Sequence, residues 1–180
     1  MPWGTFIAGS VIVGCACAYI LLRYGVIHIS PERAKQSYQK PQGTMSLYFA
    51  DSLGERLSAE QRVITPVSSL EERVARTIEE LLKGPRGKLV HTIPSATELR
   101  SVRMEKDGVV WLDFSSSLVS AHPGGSSAEI ITIYSIVNTV LLNFKELQKV
   151  GILVEGRSID TLAGHLDCSR PFAADTTVIR

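Results

Sequence analysis

Three residues that could form a nucleophilic site lie close together in the sequence: Asp113, Ser115 and His122. A serine nucleophile needs a base within hydrogen-bonding reach, and that base needs an orienting partner. The sequence has no Gly-x-Ser-x-Gly turn, which exposes the nucleophile in many hydrolases. We therefore predict that Asp113 ends a strand and that Ser115 lies in a turn. We expect no catalytic residue, and a hydrolase stays a distant alternative.

Metal, phosphate and cofactor sites find equally little support. Only His165 has other possible ligands close in sequence, Asp167 and Cys168, and one loose cluster near the chain end is more typical of incidental spacing. The glycines at 84, 87, 124 and 125 match neither common phosphate-binding pattern. We expect no metal and no cofactor. The histidines are His28, His91, His122 and His165.

Charge argues against nucleic acid as a partner. The chain has 19 Lys and Arg against 18 Asp and Glu, and the basic residues are scattered among the acidic ones. Phosphate binding needs a concentrated positive surface. We expect no nucleic-acid partner.

The chain begins with an apolar segment that carries no charge from Trp3 to Leu22. As a helix it would span the ~30 Å hydrocarbon core of a bilayer. We predict a transmembrane or signal anchor over residues 1–24. A cleaved signal usually has a basic start and a shorter apolar stretch, which this segment lacks. A lipoprotein signal ending at Cys15 is a further alternative, although the residues after Cys15 stay apolar.

The orientation of this anchor is not fixed by charge alone. Positive residues follow the apolar segment, and by the positive-inside rule they would leave the rest of the chain in the cytoplasm. Cysteine content does not reveal the compartment, because Cys168 is the one cysteine beyond the apolar segment. Residues 25–43 are polar, contain Pro31, Pro41 and Gly43, and read as a tether.

Beyond the tether, the pattern predicts one α/β domain over residues 44–164, followed by a tail over 165–180 that either wraps the domain or frays. We expect the order β-α-β-β-α-β, an α+β two-layer fold with a small mixed sheet and both helices on one face. The predicted strands are Met45–Ala50, Leu99–Lys106, Val109–Phe114 and Val150–Val154, with a further short edge strand at Arg62–Val67. Ile159–Leu162 is a candidate for a strand that returns beside the last of these.

Local signals mark the ends of these elements. Ser68 and Glu71 form a capping-box pattern for the first helix, which Gly84 and Pro85 end. The second helix is predicted from a serine cap at Ser126, and apolar residues cover most of its surface. The Asp107–Gly108 pair predicts a two-residue hairpin turn with positive φ angles, and Glu155–Gly156 predicts another turn.

Asn138 and Thr139 are two polar residues inside this apolar helix. Such residues must bond internally or face a polar partner. We expect a bond from the helix to a strand or a cap, with a binding role as the alternative.

Several short segments, taken in order, resemble the GerM sporulation and spore-germination domain over roughly residues 44 to 160. They are Leu47-Tyr48-Phe49, Leu81-Leu82-Lys83-Gly84-Pro85, Ile93-Pro94, Leu112-Asp113-Phe114-Ser115, Asn138-Thr139 and Val154-Glu155-Gly156. The resemblance implies a domain similar to the ring-building motif, exported in the bacterial envelope and without known enzymatic activity. Its motif positions, expected to be structural, are Tyr48, Phe49, Gly84, Pro85, Pro94, Asp113, Asn138, Thr139, Glu155 and Gly156.

The sequence and the resemblance together predict a single-pass membrane protein whose domain lies on the extracytoplasmic side. We expect a non-catalytic interaction module that binds an envelope protein or its own copies through sheet edges and the charged face of the first helix. That face bears Glu72, Arg73, Arg76 and Glu79. The alternative is a receptor for a small ligand or cell-wall fragment, with a cleft between the loops 84–97 and 115–126.

Overall fold

The computed structural model describes residues 43–180, so the predicted anchor and tether lie outside the described residues. The elements in chain order are β1 (Thr44–Ala50), β2 (Leu57–Val63), α1 (Leu70–Leu82), β3 (Leu99–Met104), β4 (Val109–Phe114), a short α2 (Ser117–Ser120), α3 (Ser126–Asn143), β5 (Lys149–Val154) and β6 (Arg157–Ser158). Among these residues no helix has the length and apolar character needed to cross a bilayer.

The domain is α+β, as predicted, but its strands form two sheets instead of one. β1 and β2 form an antiparallel pair, and the second sheet has the order β3-β4-β5-β6. In the second sheet β4 and β5 are parallel while the other neighbours are antiparallel, so this sheet is mixed.

The predicted strand order therefore needs correction, because it omits β2 as a full strand and because the strand that returns beside β5 is β6, Arg157–Ser158, instead of Ile159–Leu162. β2 covers Leu57–Val63, whereas the predicted edge strand was Arg62–Val67. The β2 sequence lacks the expected alternation of apolar and polar residues because a charged residue, Arg62, occupies a buried position with 3% exposure. An alternation of apolar and polar residues is the usual signal for a strand, and a buried arginine removes it.

Both long helices occupy their predicted places, with different starts. The capping side chain of α1 is Ser69, whose hydroxyl accepts the Glu72 N–H at 3.1 Å, one residue later than predicted. The predicted serine cap of α3 is wrong, since the residue before the helix is Gly125, which provides no side-chain bond. α1 contacts β3, α3 contacts β5, and the two helices contact each other.

The main hydrophobic core lies between these helices and the four-stranded sheet. Val110, Leu112 and Phe114 alternate along β4 and are fully buried there. Their partners from α1 and α3 include Val74, Ile78, Ile133, Ile136 and Val140. Alternation on the strand and three- to four-residue spacing on the helices are the two periods that a sheet-and-helix interface requires.

Both predicted turns lie at their expected positions, but the geometry predicted for the first is found only in the second. At the predicted Asp107–Gly108 turn only Gly108 has a positive φ, 73°, and its N–H donates to the Glu105 carbonyl at 3.3 Å. This is a three-residue loop ending in a left-handed glycine. Glu155 and Gly156, with φ of 52° and 77°, instead form the two-residue turn between β5 and β6.

The segment after residue 164 packs along both sheets. Phe172 pairs with Val150 of β5, and Ile179 pairs with Leu57 of β2. The segment before it is held by Glu129 of α3, whose fully buried carboxylate accepts the N–H groups of Leu162, Ala163 and His165 at 2.8 to 2.9 Å. Burial raises the pKa of Glu129, but these amides outweigh it and the net shift is downward.

Candidate functional site

Asp113 and the Glu155–Gly156 turn, which are far apart in sequence, meet at the carboxyl ends of β4 and β5. Asp113 Oδ1 accepts the Gly156 N–H at 2.7 Å, and Glu155 Oε1 accepts the Ser116 N–H at 2.9 Å. The Arg100 guanidinium lies 2.6 Å from Glu155 Oε2 and 3.6 Å from Asp113 Oδ2. These bonds hold Glu155 in its left-handed conformation, which costs a non-glycine residue about 1–3 kcal/mol.

Gly84 and Pro85 end α1 beside a buried arginine that the sequence interpretation missed. The Arg62 side chain donates to the carbonyls of Glu80 at 2.7 Å and Gly84 at 2.9 Å, and it is also bonded to the Glu60 carboxylate. Carbonyls at the end of a helix lack intrahelical partners, so Arg62 acts as a side-chain cap for α1. Its guanidinium also lies 5.6 Å from the centre of the Phe49 ring.

Thr139 belongs to a row of polar side chains along α3 that bonds the outer edge of β1. Ser135, Thr139 and Asn143, which we call the polar ladder, are spaced four residues apart and so share one helix face. Thr139 Oγ1 accepts the Tyr48 N–H at 3.1 Å, and Ser135 Oγ donates to the Tyr48 carbonyl at 2.6 Å. Asn143 bonds both the N–H and the carbonyl of Ser46, at 2.9 and 2.7 Å.

The polar ladder fits because helix and strand repeats nearly coincide. Four helical residues rise ~6 Å and two strand residues rise ~6.8 Å. Thr139 and Asn143 therefore reach Tyr48 and Ser46, which are alternate residues of β1, while Ser135 bonds the carbonyl of the same Tyr48. The helix thus takes the place of a neighbouring strand. Ala50, the next outward-facing residue toward the end of β1, exchanges bonds with Val90 at 3.2 and 2.8 Å, which closes that end of the edge.

Asn138 makes a different long-range contact. Its amide nitrogen donates to the Asp175 carbonyl at 2.7 Å, and its amide oxygen accepts the Asp175 N–H at 3.0 Å. A fully buried amide is thus satisfied by the backbone of the C-terminal segment. Asn138 and Thr139 thus both bond to other elements of the chain, as expected. Asp175, the partner of Asn138, lies outside the residues 44 to 160 that carry the resemblance.

The structure does not assemble Asp113, Ser115 and His122 into a nucleophilic site. Ser115 Oγ accepts the Glu98 N–H at 3.0 Å, while His122 bonds Thr132 at 3.1 Å and the Gly124 N–H at 3.0 Å. Each side chain is thus bonded to a different element. Desolvation by burial lowers the pKa of His122, which favours the neutral ring that accepts the Gly124 N–H.

A cleft of about 430 Å³ lies between the loops that the receptor hypothesis selects. His91, Pro94 and Ser95 line one side, and Ala121 and Pro123 line the other. Asp113 and His122 do not line it. The polar groups at its wall are few, and the Thr92 hydroxyl is already 2.6 Å from Ser135 Oγ. Among residues 43–180 no group of His, Cys, Asp and Glu is arranged to hold a metal ion.

Comparison with known protein families identifies the family of this domain. Residues 46–160 match the family model described as Germane: sporulation and spore germination. The chain belongs to this family. The matched region contains every motif position named above and ends just after the Glu155–Gly156 turn. The GerM domain of this chain is therefore a domain of the sporulation and germination class.

Solved structures agree with this assignment. A protein from Clostridium perfringens described as a lipoprotein is 27% identical, with a TM-score of 0.54, covering 74% of this chain and 88% of that one. The first GerMN domain of the Bacillus subtilis sporulation protein GerM is 20% identical, with a TM-score of 0.54, covering 73% and 95%. The tandem GerMN domains of the same protein give 19% and 0.53, covering 73% and 45%. No curated protein matches the chain.

Proposed function

We propose that this protein is a non-catalytic interaction module of the bacterial envelope, held at the outer face of the membrane by its N-terminal apolar segment. The observation that carries the proposal is how the motif residues are used. Asp113, Asn138, Thr139 and Glu155 all bond to backbone groups of other segments. These polar side chains hold the fold together, so we place the function on the surfaces of the domain.

The charged face of α1 is one such surface. Arg76 bonds Glu72 at 3.0 Å, and Arg73 lies 5.1 Å from the centre of the Phe144 ring. A cleft of about 340 Å³ between α1 and β3 adds Glu79 to this face and places Arg100 at its opposite wall. Alternating charges of this kind select a partner with complementary charges and contribute more to specificity than to affinity.

The envelope location rests on two kinds of support. The apolar segment Trp3–Leu22 has the length of a membrane span, and one similar structure belongs to a protein described as a lipoprotein. Either a transmembrane helix or lipidation at Cys15 would anchor the domain. Labelling cells with a radioactive fatty acid separates the two, since a lipoprotein loses its label when Cys15→Ser is introduced and a transmembrane anchor carries none.

The interaction role is tested by photo-crosslinking the full chain in its native membrane. A crosslinker at Glu72 should capture a defined protein or a second copy, and one at Asp107, in the β3–β4 loop, serves as the exposed control. Capture that is equal at the two positions, or absent from both, would contradict the proposal for this face.

The receptor alternative is favoured by one observation, the cleft between His91 and Pro123. If it binds cell-wall fragments, adding soluble muropeptides to the isotope-labelled full chain should shift the amide signals of Ser95 and Ala121 and leave those of β2 unchanged. Absence of such shifts at millimolar ligand would remove this alternative.

A further inference from the structure

The cleft between α1 and β3 joins a helix surface to the edge of a sheet. Its volume is about 340 Å³, and residues 99–102 form its β3 side. The sheet order is β3-β4-β5-β6, so β3 is a terminal strand. A terminal strand can bind an extended peptide through main-chain hydrogen bonds, while the neighbouring side chains select the peptide's residues. We call this cleft the α1–β3 groove.

The backbone of β3 offers donors and acceptors along this groove. The Glu105 N–H donates to the Val109 carbonyl at 2.8 Å, so the odd-numbered residues in the regular part of β3 face β4. The even-numbered Val102 and Met104 therefore direct their N–H and carbonyl groups outward. Within residues 43–180 no strand or side chain bonds to these outward groups. They are available to a further strand.

Bulges and basic side chains often protect an edge strand, and β3 has both. Its register shift lies before Ser101, however, and pairing with β4 is regular from there to Met104. Arg103 lies on the face of the sheet away from α1, because its neighbour Val102 packs against the core on the helix side. Arg100 is held by the carboxylate of the β5–β6 turn, 2.6 Å away. The outward groups of β3 thus stay accessible from the groove.

The α1 side of the groove carries negative charge that the described residues leave unpaired. Glu71, Glu72, Ala75 and Glu79 line the groove from one side of the helix. Glu72 is paired with Arg76 at 3.0 Å. Glu71 and Glu79 are exposed and form no ion pair with any residue from 43 to 180. These two carboxylates are therefore free to pair with positive charges on a partner.

Between the two carboxylates the groove is apolar. Ala75 lies midway between Glu71 and Glu79 on the helix, and the β3 side contributes Leu99 and Val102, which are half-buried against the core. Lysine and arginine match such a surface, because their long apolar stems end in a charge. The groove therefore favours basic side chains over purely aliphatic ones.

The spacing of the free carboxylates sets the spacing of the charges that fit them. Glu71 and Glu79 are eight helical residues apart, a rise of ~12 Å. Four residues of an extended strand cover ~13 Å. We propose that the α1–β3 groove binds an extended segment of a partner protein with two basic residues four positions apart and a small or apolar residue midway. This inference rests on the proposed function and specifies the chemistry of the partner.

The bound segment extends the four-stranded sheet by one strand. Its backbone bonds to Val102 and Met104, and its two basic side chains lie beside Glu71 and Glu79. The midway residue packs on Ala75. Main-chain bonds give this contact its strand geometry, and the charges select the sequence that enters.

Amide hydrogen exchange of the isotope-labelled full chain in lipid nanodiscs tests the proposal. The probe is the synthetic peptide Thr-Lys-Thr-Val-Thr-Lys-Thr, which has the required spacing. At a peptide concentration of ten times the Kd, the Val102 and Met104 amides should exchange roughly tenfold more slowly, because they then exchange mainly from the remaining free domain. The Arg103 amide, which already faces β4, should change little.

Two altered peptides separate the charges from the backbone bonds. The same peptide with glutamate in place of both lysines should give no protection. Methylating the backbone nitrogens of the lysines and the valine keeps the charges but removes donors that face β3, so this peptide should also lose the protection of Val102 and Met104.

Matched variants of the full chain test the two carboxylates. Glu71→Gln with Glu79→Gln should raise the Kd of the lysine peptide roughly two- to thirty-fold, as expected for the loss of two exposed ion pairs. Glu55→Gln with Asp160→Asn removes the same charge from exposed positions outside the groove and should leave the Kd unchanged. Equal binding of the lysine and glutamate peptides, an equal Kd for the two variants, or no protection at Val102 and Met104 overturns the proposal.

Failure here is separable from failure of the proposed function. If the lysine peptide protects neither amide but the Glu72 crosslinker still captures a defined envelope protein, the module stands and the strand-addition proposal is wrong. If the domain lies in the cytoplasm, the envelope role is wrong whatever the peptides show.

Discussion

Replacing Thr139 by valine tests whether the polar ladder holds the edge of β1. Valine keeps the shape and volume of threonine but leaves the Tyr48 N–H, now 3.1 Å from Thr139 Oγ1, without its acceptor. Thr139 is fully buried, so water does not readily replace the hydroxyl. Loss of a bond together with an unsatisfied buried donor costs about 1–3 kcal/mol.

The lower half of this range is expected, because the Tyr48 side of the bond is only partly buried. A cost of about 1–2 kcal/mol corresponds to a fall in melting temperature of roughly 3–10 °C for a domain of this size. Urea unfolding gives the free energy, and amide hydrogen exchange locates it. The Tyr48 amide should exchange faster, while the Leu47 amide, which faces β2, should change little.

Thr97→Val is the matched control. Thr97 is 5% exposed, and its hydroxyl has no partner within residues 43–180. Removing that hydroxyl relieves an unsatisfied polar group, so stability should stay equal or rise. The reasoning is refuted if the Thr139 variant unfolds with the wild-type free energy, or if the two variants lose stability equally.

Three further changes follow from the same structure. Gly84→Ala should lower the free energy of unfolding by about 1–2 kcal/mol, because φ is 80° and an added Cβ would lie 1.8 Å from the His91 ring. Adding His91→Ala should restore part of the thermal stability. No recovery would show that the ring is irrelevant. Because the pKa of His122 is lower in the folded domain than in the unfolded chain, the unfolded chain takes up a proton at a higher pH as the solution is acidified. The contribution of His122 to the free energy of unfolding should therefore be complete above about pH 6.5 and fall as the pH drops below it. Urea titrations at several pH values measure this dependence, and His122→Gln should make it weaker. Glu129→Gln, which cannot accept as many amides, should destabilise the domain by about 1–3 kcal/mol and expose the 162–165 loop to protease, and an unchanged digestion pattern would contradict this.

Short-range chemistry made most of the elements predictable. Gly84 and Pro85 ended α1 as expected, the buried face of α1 followed from its spacing, and the apolar surface of α3 predicted its deeper burial. The β3–β4 hairpin was accessible because the Asp107–Gly108 pair lies between two segments rich in β-forming residues. Even the mistaken cap was displaced by one residue only, from Ser68 to Ser69.

The errors arose where a residue's environment comes from distant parts of the chain. Arg62 reads as a surface residue until the carbonyls of Glu80 and Gly84 are placed around it, so β2 escaped recognition. The polar ladder shows the same limit, since Ser135 and Asn143 have partners about 90 residues away. Their four-residue spacing with Thr139 was visible in the sequence, but only the strand gives it meaning.

The location of the domain decides whether the account as a whole is right. Leu53 is 75% exposed at the tip of the β1–β2 loop, so a cysteine placed there is accessible without disturbing the core. Intact cells expressing the full chain with Leu53→Cys would be treated with a maleimide that cannot cross membranes. We predict labelling in intact cells that equals labelling after lysis. Labelling that appears only after lysis would place the domain inside the cell and contradict an envelope role.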